Sequence, residues 1–442
     1  MRNHTRRSRL TTVVASLAAL SLVAAACGDD DDGDDAAPAT DAPAGTEAPP
    51  ADDDAGDDAA DDAADDAAAD DAGDADADAD ADAADDAEDM DGDMAECTEP
   101  DEVTLQLQWF VQAQFGGYYA AIDEGIYDDY CLDVSISEGG VDIVPQQQLA
   151  DGAADFAIAW VPKALQSREA GADIVNIAQI YQRSGTLQVS FAEAGITSPE
   201  DFEGKRIGNW GFGNEYEVFA AITQAGLDPA TDVELVQQQF DMVALLEGDI
   251  DAAEAMTYNE YAQVLEAVNP DTGELYQPED FNVVNYEEVG VGMLQDAIWA
   301  DGERLADDPE YRDIATRFVA ASIEGWAFCR DNPESCADIV TAAGSQLGQS
   351  HQLWMMNEVN KLIWPAENGV GTIDQEAWDR TVEIAQNTAN LEGATVLTEA
   401  PSPDAFTNDI VTEAMAMAED RGIDTVGDGY TPIEVELREG GE

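Results

Sequence analysis

Residues 108–127 read QWFVQAQFGGYYAAIDEGIY, and the rest of the chain is best interpreted outward from this stretch. It follows residues 103–107, where apolar and polar residues alternate as in a half-buried β-strand. A polar, aromatic turn then leads through two glycines into a helical pattern. A strand, a loop and a helix start in this order often hold small ligands in α/β proteins, because free backbone N–H groups face the crevice. The aromatic residues predict a planar ligand, whereas Phe115 and Tyr119 are assigned to the core.

The chain is strongly acidic, and this limits the partners that it can have. Its 442 residues include 97 Asp and Glu against 17 Lys and Arg, which argues against nucleic acid, whose phosphates need basic partners. Residues 97–442 alone carry 66 acidic against 13 basic residues. Such a surface repels itself at low salt and is screened at high salt, so we expect adaptation to a saline medium. A lineage-wide acidic bias without salt dependence is the alternative.

The amino-terminus has the pattern of an export signal. Four arginines precede an apolar run at residues 13–26, and Cys27 follows directly. This resembles a bacterial lipoprotein signal at 1–26, with cleavage before Cys27 and lipid on its thiol. Ala24 stands where such signals usually have Leu, and a secreted or uncleaved form is the alternative. The resemblance predicts a protein anchored by lipid to the outer face of the cell membrane.

Residues 27–96 are predicted to be a disordered tether after the lipidated cysteine. From residue 28 they are almost entirely Asp, Ala, Gly and Pro, and such a segment buries too little apolar surface to offset the entropy of ordering. Alternating aspartates at residues 74–80 lack the Gly and the distal Glu of a calcium-binding EF-hand loop. They are interpreted as a solvated charge run, and neither a metal nor a cofactor is predicted.

Four cysteines remain after Cys27, an even number that suggests two disulfides in an oxidising compartment. Cys329 and Cys336 are close enough in sequence for a local loop. Cys97 and Cys131 are then expected to tie the first strand to the segment after the first helix. The chain has two His and no Cys-x-x-Cys pair, so zinc and redox sites are not predicted.

Strand and helix signals alternate along the folded part and then give way to helices from residue 309. This order favours an α/β fold, with a largely parallel sheet and helices on its faces. Trp326, Trp354 and Trp378 occur at helical spacings that indicate core positions. The predicted strands are residues 103–107, 132–137, 156–159, 174–180, 187–191, 205–209, 233–236, 283–286 and 292–294.

The pattern restarts near Ser198 and produces a second α/β unit. In each unit a loop follows the first strand, at residues 109–117 and again at 210–215, which read WGFGNE. If the two units are two lobes, these loops face one another across a cleft. Closure of two lobes about a hinge is a common way to enclose a ligand.

Four segments carry a resemblance to a known family: QWFVQAQFGGYYAAIDEGIYDD, GAADFAIAWVP, SPEDFEGKRIGNWGFGNEYEV and GDIDAAEAMTYNEY. In this order they resemble the thiamine-pyrimidine-precursor branch of the periplasmic solute-binding proteins, a superfamily that also includes alkanesulfonate, taurine and nitrate binders. The resemblance spans residues 103–416. It implies a two-lobed Venus-flytrap fold with a hinge, in which lobe 1 comprises 97–191 and 297–442, and lobe 2 comprises 192–296.

The resemblance also implies a set of ligand-binding residues in the loops of both lobes. Trp109 is expected to stack on a flat ring, Gln112 and Gln114 to bond its edge, and Gly117 and Tyr118 to offer an N–H and a hydroxyl. The positions are Trp109, Gln112, Gln114, Gly117, Tyr118, Trp160, Trp210, Gly213, Asn214, Glu215, Tyr258, Asn259 and Glu260.

Several of these residues have a structural interpretation as well. Asn214 and Glu215 suit a helix cap and a first-turn acid, and residues 258–260 suit a turn. As a ligand contact, Glu215 favours an amino-heterocycle and disfavours a sulfonate, which would call for an Arg or for free N–H donors. No Arg occurs in these loops.

The resemblance implies an extracytoplasmic solute-binding lipoprotein that acts as a monomer. It would serve the permease and ATPase of an ABC importer. The expected ligand is a thiamine-precursor aminopyrimidine or a related planar heterocycle such as riboflavin. A binder of sulfonates, taurine or nitrate is the alternative, and an adhesion or scaffold protein is a further one. Eukaryotic enzymes of the family need a reactive His, a cofactor Lys and a Cys-rich loop. Here His351 stands alone in the folded part without a Cys cluster, so no enzyme is predicted.

Overall fold

A computed structural model describes residue 97 and residues 99–442. The predicted signal, the lipid-bearing Cys27 and the acidic tether lie outside these residues. None of the helices in the described part combines the length and the apolar character needed to span a membrane.

Two groups of strands organise the described chain. The first sheet has the order β2-β1-β3-β10-β4, with β1 parallel to β2 and β3, and with β10 antiparallel to β3 and β4. The strands are β1 (Asp101–Gln106), β2 (Leu132–Ser137), β3 (Phe156–Trp160), β4 (Ile174–Ala178), β5 (Thr186–Phe191), β6 (Arg206–Asn209), β7 (Glu234–Gln237), β8 (Ala253–Met256), β9 (Phe281–Asn285) and β10 (Asp296–Asp301).

The second group forms the other lobe. Its sheet has the order β8-β5-β9 with antiparallel pairing, while β6 and β7 form a parallel pair. A bridge between Ile207 and Ala252 joins the pair to the start of β8. The prediction of a largely parallel sheet is therefore wrong for this lobe. The sequence also assigned β5 to lobe 1, but its hydrogen bonds run to β8 and β9.

Helices cover both groups of strands and form most of the chain after β10. Proline or a capping Asp opens many of them, as in α9, where the Asp308 carboxylate accepts the N–H groups of Glu310 and Tyr311. The helices are α1 (Gly116–Asp123), α2 (Ile126–Asp129), α3 (Pro145–Ala150), α4 (Val161–Glu169), α5 (Tyr216–Gln224), α6 (Val243–Leu246), α7 (Glu260–Leu265), α8 (Gly302–Asp307), α9 (Pro309–Asp331), α10 (Pro333–Ala342), α11 (Gln349–Ile363), α12 (Gln375–Asn387) and α13 (Asp409–Asp420).

The principal core lies between the first sheet and helices α1, α9 and α11. Phe115 and Trp326 are fully buried in it, and Tyr119 packs against it, as predicted. Both expected disulfides are present, Cys97–Cys131 and Cys329–Cys336. The second of them packs beside α1, and the first links the start of the described chain to the residue before β2.

Two strands of the fold were not predicted. Strand β8 reads Ala-Glu-Ala-Met, which has little β propensity, and pairing with β5 determines its conformation. Strand β10 was also missed, and residues 292–294, predicted as a strand, form the extended connection that precedes it. The chain thus passes between the sheets at residues 182–185 and again at 286–295. Gln295 holds the two passages together, because its side chain accepts the N–H of Gly185 at 2.9 Å and donates to Thr186 at 2.8 Å.

Candidate functional site

A narrow crevice lies where the end of β3 meets the turn after β6. It contains about 240 Å³ of empty space, and its interior has room for about one water molecule. Residues of both lobes and of the passage between them form its walls: Trp160, Pro162, Gly213, Asn214, Tyr216, Glu217, Met293, Leu294 and Gln295. The predicted positions Trp160, Gly213 and Asn214 are thus brought together here.

Three aromatic rings in contact with one another connect the two lobes. The ring of Trp109, in the first lobe, lies 5.1 Å from that of Phe240 in the second. Phe240 in turn stacks on Trp210 at 5.7 Å, with 22° between the ring planes. The first-lobe loop therefore meets the second-lobe turn, as the sequence predicted for Trp109 and Trp210. Phe240 was not predicted, since it is a lone aromatic in a polar segment.

Two glutamines of the first loop contact one buried acid, Asp296, and a third glutamine supports one of them. Gln108 and Gln114 donate to its two carboxyl oxygens, the latter at 2.7 Å, and Gln112 donates to Gln114 at 2.6 Å. Burial raises the pKa of Asp296 to about 7, and Gln114, the nearby Trp160 indole, Gln108 and the charge of Lys163 lower it only in part. Gln114 therefore holds this acid directly and Gln112 acts through Gln114, while their expected contacts with a ligand stay a prediction. The sequence did not identify Asp296, which lies 182 positions after Gln114.

Lys163 is a cation beside the crevice that was not predicted as a site residue; its side chain lies next to Gly213. Its ammonium lies 5.3 Å from the centre of the Trp160 ring, within range of a cation–π interaction. It forms no ion pair with any residue that the structure describes. Burial lowers its pKa to about 8, opposed by the charges of Glu215, Glu254 and Asp296. One available signal was its rarity, because residues 97–442 contain three Lys.

Glu254 on β8 is a second acid that the sequence did not identify. It is fully buried, and its Oε2 accepts the backbone N–H of Trp210 at 2.7 Å. Burial raises its pKa well above the ordinary value, and neighbouring Glu217, Glu215 and Glu260 act in the same direction. A neutral carboxyl group is therefore expected here. The side-chain nitrogen atoms of Trp160 and Trp210, and Oε1 of Glu254, have no hydrogen-bond partner within the described residues.

Glu217 connects the crevice to the passage between the lobes. It lies on α5, and its Oε1 accepts the N–H of Met293 at 2.6 Å. Burial raises its pKa to about 7, against the hydrogen bonds from Thr186, Met293 and Ser184. Its partners therefore belong to both of the passages that join the sheets.

The turn at residues 211–215 folds upon itself. Glu215 accepts the N–H of Gly213 at 2.8 Å, and the Asn214 side chain donates to the Gly211 carbonyl at 2.9 Å. Neither side chain caps helix α5, so the predicted cap is wrong, although both are held by turn chemistry. Phe212 has a positive φ of 56° and is 78% exposed, which places its ring at the rim of a wider groove behind the turn.

Residues 258–260 have structural partners. Tyr258 is buried edge-on to Tyr181, with 6.2 Å between the ring centres. The side-chain oxygen of Asn259 accepts a hydrogen bond from Nε2 of His351 at 3.0 Å, while Glu260 accepts the N–H of Met256 at 2.9 Å. Asn259 and Glu260 thus make turn and helix-start contacts, and their expected ligand role stays a prediction.

Gly117 and Tyr118 face the core. A Cβ atom on Gly117 would lie 2.3 Å from the Trp326 ring, so this glycine permits close helix packing and does not face the crevice. Tyr118 is fully buried and packs edge-on to Trp326 at 5.6 Å. The predicted N–H contact of Gly117 and hydroxyl contact of Tyr118 with a ligand are therefore wrong. Both residues lie on the face of α1 that packs against α9.

Two lobes joined by two passages, with aromatic and polar residues from both meeting at one crevice, define the solute-binding class of hinged proteins. The chain belongs to the NMT1/THI5-like family, whose sequence pattern matches residues 112–336. The structure is similar to one named as a periplasmic sulfonate-binding protein SsuA from Methylobacillus flagellatus, with a TM-score of 0.52 and 16% identity. The similarity covers 77% of this chain and 99% of that chain. The predicted two-lobed fold is thereby confirmed.

Two relatives have names that describe a ligand. The formylaminopyrimidine-binding protein of Halalkalibacterium halodurans is 23% identical over 241 residues, which cover 54% of this chain and 70% of the relative. The riboflavin-binding protein RibY of Chloroflexus aurantiacus is 25% identical over 321 residues, which cover 70% of this chain and 86% of the relative. These similarities confirm the resemblance inferred from the four sequence segments.

Proposed function

We propose that this protein is the lipid-anchored receptor of an ABC importer and that it captures a small planar nitrogen heterocycle between its lobes. The observation that carries the proposal is the contact of Trp109 with Phe240 and of Phe240 with Trp210, which brings aromatic rings of both lobes together. Aromatic faces stack on heterocycles and supply much of the affinity for them. The names of the two relatives support the same class of ligand.

The polar surroundings of the crevice support an uncharged or weakly charged ligand over an anion. Asp296, Glu215, Glu217 and Glu254 all lie near it, and no Arg occurs among its described lining residues. A sulfonate would face this acidic surrounding with Lys163 as the nearby cation. The negative charge around the crevice therefore favours the edge of an uncharged ring over a tetrahedral anion.

We further propose that the protein delivers its ligand to a permease without transforming it. The buried acids of the site are held by glutamine side chains and backbone N–H groups, as suits fixed recognition. The protein is proposed to act as a monomer at the extracytoplasmic face of the membrane, anchored through Cys27. Radiolabelled palmitate in cells that express the protein tests the anchor, and a Cys27→Ser variant is expected to lose the label.

Isothermal titration of the purified protein with formylaminopyrimidine, riboflavin and taurine tests the choice of ligand. Micromolar or tighter binding of one of the two heterocycles is expected, with no detectable binding of taurine. Trp109→Ala is expected to weaken this binding about ten- to hundredfold, since stacking on an aromatic ring is worth about 1–3 kcal/mol. Tight binding of taurine with no binding of either heterocycle would overturn the proposal.

A further inference from the structure

Four polar groups near the crevice lack partners among the described residues. Three of them are buried, namely the indole nitrogens of Trp160, which lies near Asp296, and of Trp210, and Oε1 of Glu254. The fourth is the ammonium of Lys163, a half-buried residue that forms no ion pair with any described residue. Buried polar groups in folded proteins are nearly always hydrogen-bonded, so a cluster of exceptions indicates a missing partner. Trp160 and Lys163 come from the end of β3 and the start of α4, whereas Trp210 and Glu254 come from the second lobe.

These groups share one property, which is that they donate hydrogen bonds. An indole nitrogen and an ammonium group can only donate. Glu254 is fully buried and already accepts the Trp210 N–H through Oε2, so the proton of its neutral carboxyl group belongs on Oε1. Lys163, Glu215, Glu217 and Glu260 are the charged groups around it, and three of these four disfavour its ionisation.

We propose that Lys163 and Glu254, together with the two indole N–H groups, form a donor array that selects an uncharged heterocycle with an acceptor-rich edge. Such an edge consists of carbonyl oxygens and unprotonated ring nitrogens. The inference rests on the proposed function and deepens it by assigning two ligand-recognising residues. Glu215 is an acceptor, since Oε2 accepts the Gly213 N–H at 2.8 Å, and it is therefore not a member of the donor array.

The charges of the site distinguish an uncharged heterocycle from a protonated heterocycle and from an anion. A protonated amino-heterocycle would be repelled by Lys163, whose ammonium lies over the Trp160 ring. An anion would be attracted by Lys163 but repelled by Glu215, which lies close enough to Lys163 to influence its charge. An uncharged ring edge satisfies the donors without either repulsion.

Two substitutions at Glu254 test whether its side chain acts toward the ligand as a neutral hydrogen-bond donor or as an ionised acceptor. In Glu254→Gln the amide oxygen still accepts the Trp210 N–H, and the amide nitrogen replaces the acid as a donor. In Glu254→Met both functions are lost. Titration with riboflavin or formylaminopyrimidine, whichever the wild type binds more tightly, is expected to give an affinity within about threefold of wild type for Glu254→Gln, and a loss of about tenfold or more for Glu254→Met.

Lys163→Met is expected to lose about tenfold or more in affinity for the same probe, since it removes a charged donor. Lys205→Met is the matched control, because Lys205 lies away from the crevice, next to the Ala194 carbonyl. It is expected to bind as tightly as wild type. Circular dichroism and thermal melting show whether each variant is folded. If Glu254→Met does not fold, the results for Glu254→Gln and Lys163→Met are sufficient for the test.

The possible results decide between the inference and the proposed function. If wild type binds a heterocycle and Lys163→Met binds it equally well, the donor array is overturned while the proposed function stands. A large loss of affinity in Glu254→Gln also overturns it, because that result requires an ionised acceptor. If wild type binds neither heterocycle, the proposed function fails and the inference fails with it.

Discussion

At the scale of single residues, the site contains buried acids whose pKa values are raised toward neutral pH. Asp296 has both carboxyl oxygens engaged by glutamines, yet burial raises its pKa from 3.8 to about 7. Glu217 has a similarly raised pKa of about 7. A neutral acid costs less to bury than a charged one, so the protein binds more protons at these positions when folded than when unfolded.

This difference predicts how stability changes with pH. Since the folded pKa of Asp296 lies above the unfolded value, its contribution to stability is present below about pH 4 and is lost as the pH rises through 7. Asp296→Asn removes the titration. The free energy of unfolding should therefore fall less from pH 5 to pH 8 in the variant than in wild type, by a few kcal/mol at about 1.4 kcal/mol per pK unit.

Chemical denaturation of both proteins at the two pH values and at one salt concentration measures this double difference. The general repulsion among surface acids changes equally in both proteins and cancels. Equal pH dependence in the variant and in wild type would show that Asp296 is ionised throughout this range.

At the scale of elements, helices α1 and α9 cross at unusually close range. A Cβ atom on Gly117 would lie 2.3 Å from the Trp326 ring, and one on Gly325 would lie 2.1 Å from the Gly117 carbonyl oxygen. Gly117→Ala should therefore destabilise the protein by at least about 1–3 kcal/mol, the usual cost of overpacking. Denaturant unfolding curves measure the change.

Gly429→Ala is the matched control for this packing, since nothing lies within 4 Å of a Cβ atom at Gly429 and its φ is not positive. It is expected to be close to neutral in stability. A Gly117→Ala variant as stable as wild type would mean that the two helices can separate without cost.

Helix α11 is a second element with a role beyond its own lobe. Its His351 is buried, with Nδ1 2.9 Å from Glu266 and Nε2 3.0 Å from Asn259, and both partners belong to the second lobe. Trp354 of the same helix donates to the Thr257 carbonyl at 3.1 Å. The helix therefore fastens the second lobe to the first beside the hinge passages.

His351→Ala should lower the free energy of unfolding by about 1–3 kcal/mol for each buried partner left without a hydrogen bond. Gln349→Ala on the same helix is the control, because its hydrogen bonds to Asp338 and Thr341 lie at the surface. Thermal and denaturant unfolding of both variants measure the effect. Equal losses in the two variants would contradict a special role for the buried histidine.

At the scale of the whole molecule, charge dominates the surface. Residues 97–442 carry 66 acidic and 13 basic residues, so repulsion between like charges outweighs the attraction of ion pairs. Raising NaCl from about 0.1 M to about 1 M shortens the screening length from about 10 Å to about 3 Å. The melting temperature of the folded part is therefore expected to rise by several degrees. A temperature that stays constant or falls would indicate an acidic bias without salt adaptation.

Much of the architecture could be predicted because it depends on local patterns. The segment after β1, the turn at residues 211–215 and the cysteine pairs were all recognised from neighbouring residues. The strands that were missed show the limit of this approach, because Ala-Glu-Ala-Met becomes a strand only through pairing with β5. The antiparallel pairing of the second lobe likewise depends on contacts between distant segments.

The sequence by itself determined the alternation of strands and helices, the acidic character, the disulfides and the aromatic loops, since each is encoded within a short stretch. Only the tertiary structure decided which polar residues form the site. It joined Gln114 to Asp296 across 182 positions and Trp210 to Glu254 across 44, and it placed Gly117 in a helix crossing. The physical reason is that burial and hydrogen bonding set the charge and the role of a side chain, and these depend on neighbours that lie far away in the chain.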